Sequence, residues 1–270
     1  MDDLRWQFIA GCCVIGGPIA FYRGFRDLHV RRLIDNTPTS NIASMAIGMV
    51  EVNGSTIGRS RTVAPFSGRE CVYWQIEVAT RGRPRDGWRT VHKNASGNPF
   101  FLRDPSGVAM VYPRGAECRL QHGVEEDCLG ISLPPVYADY LNEVVGAQSK
   151  LWRLGHMRFR ERLLEEGQRI YVMGYAAPKA NALTISEPEE DLEATGTENY
   201  SARRIRPIQD EVSAVIRQGQ NEKTFIISQD SEKTVSLMYG LKASGKLVGG
   251  PIATLAGLAY WLDFLRRMSH

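Results

Sequence analysis

The segment Gly240-Leu241-Lys242-Ala243-Ser244-Gly245-Lys246 has the spacing of a phosphate-binding loop up to its lysine. In such a loop, backbone N–H groups cradle phosphates, the lysine reaches the outer phosphates, and a hydroxyl after it meets magnesium. Here Leu247 follows and offers no hydroxyl, and the next element is an apolar stretch. The segment therefore reads as a flexible, basic linker ahead of a membrane span. Arg81-Gly82-Arg83-Pro84, extended by Arg85 and Arg89, has the core of an arm that places arginines in a narrow A·T-rich minor groove. It occurs once, between two predicted strands, and reads as a solvated loop that could instead touch anionic lipid. Cys118, His122 and Cys128 do not have a zinc-site spacing, and no Cys-x-x-Cys occurs. Ser67 lies in a turn signal, with no Gly-x-Ser-x-Gly elbow in the chain. The acidic runs Glu125-Glu126-Asp127 and Glu187 to Asp191 read as solvated loops. No catalytic set, metal site or cofactor site emerges.

The elements that would position any site begin and end with apolar stretches, Trp6 to Tyr22 and Leu247 to Leu265. Both fall at the low end of the roughly 17–25 residues that cross a bilayer as a helix. Each contains Gly-Gly-Pro-Ile-Ala, at 16–20 and at 249–253. Gly-Gly-Pro weakens a soluble helix, whereas membrane helices tolerate it and use small residues for close contact. Gly16 with Ala20, and Ala253 with Gly257, are four apart and predict a packing seam. Asp263 sits near the end of its stretch, where it can reach water. Asp2 and Asp3 spoil the basic leading region of a signal peptide, so the first stretch reads as an uncleaved anchor. Arg23, Arg26, Arg31 and Arg32 outweigh Arg5 across the first span, which places the middle domain in the cytoplasm. The resulting division is a first span with its flank at 1–26, a middle domain at 27–240 and a second span at 241–270.

A net charge of +3 with interspersed signs argues against nucleic acid as a general partner. Cys12 and Cys13 fall in the first span, leaving Cys71, Cys118 and Cys128. Three thiols make no disulfide framework, and the balance leans to a reducing compartment.

Within the middle domain, Asn36 to Ser40 marks a turn or cap. Met45 to Val52 alternates as a strand and ends at Asn53-Gly54, a turn dipeptide. Cys71 to Val78 reads as a strand, with Trp88 to His92 returning beside it. Phe100 to Arg103 and Val108 to Tyr112 flank the turn Asp104-Pro105-Ser106-Gly107. Ile170 to Tyr175 pairs with Leu183 to Ser186, and Phe225 to Ser228 is a last strand. Pro134 to Val145 and Ser231 to Tyr239 have helical spacing. Glu187 to Arg206 reads as a loop or lid. The sum is a mainly β (α+β) domain, a small barrel or sandwich, flanked by two transmembrane helices.

An ordered set of segments then carries a resemblance. It opens with Leu33 to Ser40, including Pro38, and continues with Ala46 to Gly54, including Gly48, Glu51 and Gly54. Next comes Pro65-Phe66-Ser67-Gly68-Arg69-Glu70-Cys71-Val72-Tyr73-Trp74, followed by Trp88. Pro99 to Gly107, with Phe100, Asp104 and Gly107, and Glu161 to Gly174, with Gly167, close it. The set resembles the GIDE or BAM ("beside a membrane") domain of membrane-anchored mitochondrial E3 ubiquitin ligases, which has prokaryotic relatives. The resemblance spans most of residues 33–230 and implies a domain held between two spans. It implies the non-cytosolic side, against the arginine count. In the ligases, ubiquitin transfer comes from a RING finger after the second span, built on eight Cys/His ligands. This chain has five Cys and five His, with Met268-Ser269-His270 following Arg267, so ligase activity does not carry over.

The expected function is a non-enzymatic, doubly anchored membrane protein whose middle domain mediates interactions at the membrane surface, in envelope or organelle organisation or stress response. Its expected partners are the bilayer, other proteins and further copies met through the glycine-rich spans. The alternatives are ligase-like activity, an enzyme whose lid is Glu187 to Arg206, and anionic lipid or DNA binding through Arg81 to Arg89.

Overall fold

The alternating residues after Met45 do form a strand, and that strand closes a ring. The computed structural model describes residues 2–58, 61–83, 86–146, 149–153, 155–177 and 212–268. Strand β1 (Gly48–Ile57) pairs antiparallel with β11 (Arg169–Ala177) from Gly48 to Ser55, then with β6 (Phe100–Arg103) from Ser55 to Ile57. β6 turns into β7 (Val108–Val111), β7 lies parallel to β12 (Val212–Arg217), and β12 pairs with β11. The order β1-β6-β7-β12-β11 thus returns to β1 as a closed five-stranded barrel. Closure removes exposed strand edges. β13 (Ile226–Ser228) adds to β11 and carries β8 (Glu117–Arg119) beside it.

Asn53-Gly54 is not a turn, contrary to the dipeptide signal. It lies inside β1, where pairing passes from one neighbour to the other. A Cβ on Gly54 would stand 2.7 Å from the Arg103 carbonyl oxygen and 2.8 Å from the Leu102 side chain. The glycine serves close approach of β6 rather than chain reversal. The barrel strands are buried on both faces. Val52, Phe100, Leu102, Val111 and Val172 belong to one apolar cluster, and the alternate residues Phe101, Val108, Met110 and Val215 to another. The β6–β7 turn forms as expected. The Asp104 carboxylate accepts from the Ser106 and Gly107 N–H groups at 2.7 and 2.8 Å, and from the Ile42 N–H at 2.8 Å.

A four-stranded antiparallel sheet has the order β5 (Arg89–Ala95), β4 (Tyr73–Arg81), β10 (His156–Leu164), β9 (His122–Leu129). The short strands β2 (Thr62–Val63) and β3 (Glu70–Cys71) form a ribbon next to it in sequence. Helix α2 (Pro135–Tyr140) runs on into a π-helical turn, Leu141–Val145, and α3 (Ser149–Trp152) follows. The predicted partner strand Leu183 to Ser186 and the lid Glu187 to Arg206 lie outside the described residues.

Residues 1–38 and 231–270 make a second unit, separate from the unit of residues 39–230. It is a pair of long helices, α1 (Asp2–Asn36) and α4 (Glu232–Met268), each long and apolar enough to cross a membrane. The segment 240–246 is continuous helix within α4, neither a flexible linker nor a phosphate loop. Its Ala243 is buried against α1, so packing holds the helix that its two glycines would loosen. Buried small residues recur every seventh position, at Ala10, Gly17 and Gly24 on α1 and at Ala243, Gly250 and Gly257 on α4. A Cβ on Gly17 would meet the Gly250 oxygen at 2.5 Å, and one on Gly257 would meet the Ala10 oxygen at 2.7 Å. The helices therefore run antiparallel with their backbones almost touching. Of the two glycines expected in the seam, Gly257 is there. Gly16 faces open space, because the seam follows a seven-residue repeat and not the four-residue one.

Gly250→Leu is therefore expected to destabilise the hairpin by about 1–3 kcal/mol, as overpacking does. Gly249→Leu, with nothing within 4 Å of its Cβ position, is expected to leave it unchanged. Thermal unfolding of the full chain in detergent, followed by circular dichroism, checks the contrast.

Candidate functional site

Residues 156–164 alternate strictly, and β10 sorts them by face. Met157, Phe159, Glu161 and Leu163 point inward, while Arg158, Arg160 and Arg162 point outward. Glu161 is the exception in the inner row, a carboxylate with 0% exposure. A buried charge must be compensated, and here backbone donors do it. Glu161 accepts from the Phe66 N–H at 2.8 Å and the Ser67 N–H at 3.0 Å. These donors belong to the turn Pro65 to Gly68, which closes with a bond from the Gly68 N–H to the Ala64 carbonyl at 2.9 Å. Gly68 has φ +67°, the left-handed region that a glycine enters without strain. The carboxylate acts as a clamp for this turn, and its oxygens face donors rather than solvent.

The clamped turn delivers Phe66 into an aromatic layer. Its ring meets Tyr137 at 5.0 Å, Tyr140 at 5.1 Å and Phe159 at 5.7 Å, all edge to face. Tyr137 stacks on Phe159 at 4.2 Å. The Tyr137 hydroxyl donates to Glu126 at 2.6 Å, and burial together with that carboxylate pushes its pKa up. The Tyr140 hydroxyl accepts from Asn94 and meets the His92 Nε2, each at 3.1 Å. Burial lowers the His92 pKa, favouring a neutral ring. Pro65, Phe66 and Gly68 are thus held by Glu161, 95 residues beyond Phe66, while Cys71 packs in a separate small cluster with Ala64 and Leu163.

The remaining motif positions lie elsewhere. Glu51, also fully buried, accepts from the Thr39 hydroxyl at 2.9 Å and the Tyr171 hydroxyl at 3.1 Å. Tyr73 and Phe100 sit together in the barrel cluster, and the Cys118 thiol donates to the Tyr73 hydroxyl. Gly174 makes room for Phe225, whose ring a Cβ would meet at 2.8 Å. Gly48 opens β1, Pro99 precedes β6, Gly107 follows the Asp104 turn, Gly167 lies between β10 and β11, and Pro38 follows α1. Cys118 is on β8 and Cys128 on β9, in different sheets. Among the described residues, no group of three or more His, Cys, Asp or Glu side chains is placed to hold a metal. Burial pushes the thiols of Cys71 and Cys128 up to about 11, helped by Glu161 and Glu126 respectively. Such thiols are poor nucleophiles at neutral pH.

The outer face of the four-stranded sheet is a row of alternating charge. Glu125 on β9 is opposite Arg160 on β10, Arg160 is opposite Glu77 on β4, and Glu77 is opposite Lys93 on β5. Arg160 donates to Glu125 at 3.0 Å, and Arg158 reaches Asp127 with two bonds at 2.6 and 2.7 Å. Partial burial opposes ionisation of Glu77, but the Thr90 hydroxyl and Lys93, Arg162 and Arg160 outweigh it and lower its pKa. The run Glu125-Glu126-Asp127 is therefore a strand, not a solvated loop, because β10 supplies its counter-charges. Trp88 lies at the rim of this face, with the Arg81 guanidinium 4.6 Å and the Arg158 guanidinium 4.3 Å from its ring. Arg83 closes the adjoining turn through its N–H to Asp86 at 2.9 Å. Arg89 is exposed on β5, and Arg85 lies outside the described residues.

Against this geometry, residues 76–193 match the family GIDE, described as E3 Ubiquitin ligase. The segment 76–193 is thus similar to the GIDE domain. The matched segment begins in β4 and continues past β11, so it contains Trp88, Phe100, Asp104, Glu161 and Gly174 of the resemblance and begins after Phe66 and Tyr73. No curated protein and no solved structure matches the chain. The residues that sequence reasoning missed in the matched segment are Arg158, Arg160, Tyr137, Tyr140 and Phe159. The alternation His-Met-Arg-Phe-Arg-Glu-Arg-Leu-Leu at 156–164 was the available signal for β10.

Glu161→Gln removes one charged acceptor from two backbone donors. It is expected to cost about 2 kcal/mol, against less than about 0.5 kcal/mol for the surface change Glu125→Gln. Thermal unfolding of both variants measures this. A raised thiol pKa makes the protonated form the stable one in the folded state. The contribution of Cys71 is then complete below about 9 and lost as pH rises through about 11. Alkylation of Cys71 by iodoacetamide, located by peptide mass spectrometry, is expected to stay slow until pH approaches that upper value.

Proposed function

We propose that this chain is a doubly anchored membrane protein whose GIDE domain binds protein partners beside the bilayer without catalysing a reaction of its own. The observation that carries the reading is the register of the helical hairpin. Pairing Ala10 with Gly257 and Gly17 with Gly250 sets the charge-free stretch from Trp6 to Tyr22 alongside the one beginning at Leu247. The shared charge-free length, Trp6 to Ala20 against Leu247 to Trp261, is about 22 Å at 1.5 Å per residue, a little under the roughly 30 Å of a hydrocarbon core. Trp6 and Trp261 come to the same level, as residues of an interfacial aromatic belt do.

A binding role rather than catalysis is supported by how the polar groups are spent. Glu51 and Glu161 are occupied by hydroxyl and backbone donors, and burial holds the thiols of Cys71, Cys118 and Cys128 protonated. The segment 129–144 instead exposes Leu129, Ile131, Val136 and Val144, with Ile131 84% exposed. Exposed apolar side chains beside a charged face are the composition of a protein-binding surface. The second reading, a part in ubiquitin transfer, is supported by the description attached to the family match. Contact with anionic lipid or DNA through residues 81–89 would draw on Arg83 and Arg89, since Arg81 is stacked on Trp88.

The test is cross-linking and affinity capture of the full chain from membranes, compared with an Ile131→Asp/Val136→Asp variant. Specific partners captured by the parent and reduced about tenfold or more by the variant support the reading. Identical partner sets, or none, reject it. Autoubiquitination of the purified protein, given activating and conjugating enzymes and ubiquitin, would establish the second reading in its place.

A further inference from the structure

The helical unit is lopsided in charge. Toward the chain ends, Asp2, Asp3 and Asp263 balance Arg5, Arg266 and Arg267. At the other end of the charge-free stretch, Arg23 and Arg26 follow Tyr22, Lys242 and Lys246 precede Leu247, and Asp27 is the opposing carboxylate. Asp27 is buried and bonds Lys246 at 2.5 Å. That pair leaves Arg23, Arg26 and Lys242, all exposed, as a collar of positive charge. Lys242 also lies 5.7 Å from the Tyr239 ring, which limits its excursions.

An apolar groove of about 470 Å³ opens onto this collar. Cys12, Gly16 and Ala20 line it on α1, and Lys246, Gly249 and Ala253 line it on α4. Its volume falls in the roughly 300–1,000 Å³ range of small-molecule sites. Residues three or four apart share a helix face, so Arg23 continues the line of Ala20, and Lys242 the line of Lys246. The groove and the cations are thus consecutive along one side of the hairpin. The groove floor is open: a Cβ on Gly16 or on Gly249 meets nothing within 4 Å.

We propose that the hairpin binds an anionic phospholipid, with its phosphate between Arg23 and Lys242 of the collar and one acyl chain along the groove. This rests on the reading of the two helices as membrane spans. Two independent features select this occupant. The collar favours a net negative headgroup over a zwitterionic one, whose own cation meets like charge. The groove is apolar below the cations, as an acyl chain requires and a soluble phosphate does not.

The experiment is native mass spectrometry of the full chain in detergent, counting retained lipid after addition of phosphatidylglycerol or phosphatidylcholine. Retention of phosphatidylglycerol is expected to exceed that of phosphatidylcholine by about tenfold. Arg23→Ala and Lys242→Ala are each expected to reduce it by about fivefold, the effect of one cation near a lipid surface. Gly249→Leu is expected to lower retention of both lipids with helix content unchanged. Glycerol phosphate, a headgroup without chains, is expected not to compete. Equal retention of the two lipids, insensitivity to both charge removals, or full competition by glycerol phosphate overturns the proposal and leaves the membrane reading standing. A Gly249→Leu variant that changes oligomeric state while retaining lipid assigns the groove to a second copy and overturns it as well. A full chain that stays monodisperse in buffer without detergent defeats the membrane reading itself, and the lipid proposal with it.

Discussion

The backbones of α1 and α4 approach so closely at Gly17 and Gly250 that a Cβ on either would collide with the other's carbonyl oxygen. That contact fixes the register of the hairpin, because sliding either helix by one turn would bring a larger residue to the crossing. The register in turn makes the two charge-free stretches coincide and collects Arg23, Arg26, Lys242 and Lys246 at one level. Two apolar helices of the same composition, packed out of register, would place charges of one beside the apolar middle of the other, which lipid does not tolerate.

In the middle unit, two buried carboxylates hold parts of the chain that are far apart in sequence. Glu161 on β10 takes the N–H groups of the Pro65 to Gly68 turn, and Glu51 on β1 takes the hydroxyls of Thr39 and Tyr171. A carboxylate in either place would be costly without those donors. Those donors explain how two carboxylates are accommodated out of solvent. The GIDE match includes Glu161 but not Glu51, so the two locks differ in whether the family description covers them.

The four-stranded sheet manages its outer face by charge rather than by cover. The row Glu125, Arg160, Glu77, Lys93 alternates sign across all four strands. Each exposed pair is worth at most about 1 kcal/mol, so the row adds little stability. It does match an arginine-bearing strand to acidic neighbours on both sides, which favours this strand order.

Local signals in the sequence determined a good part of this architecture. The apolar lengths of the end helices, the Asp104-Pro105-Ser106-Gly107 turn, and the strands around Met49, Tyr73, Phe100 and Val172 are written in nearest-neighbour pattern. The resemblance over Pro99 to Gly107 and Glu161 to Gly174 was legible for the same reason. Where the pattern misled, a distant partner had overridden it. Asn53-Gly54 became strand because β6 needed the space a glycine leaves, and Glu125-Glu126-Asp127 became strand because β10 neutralised it. Residues 240–246 became helix because α1 packed against Ala243. The sequence alone thus determined which segments are apolar, turning or extended, since those depend on bonds and side chains close along the chain. Barrel closure, the Glu161 clamp and the helix register were decided only in three dimensions, because each depends on a contact whose two halves lie dozens to hundreds of residues apart.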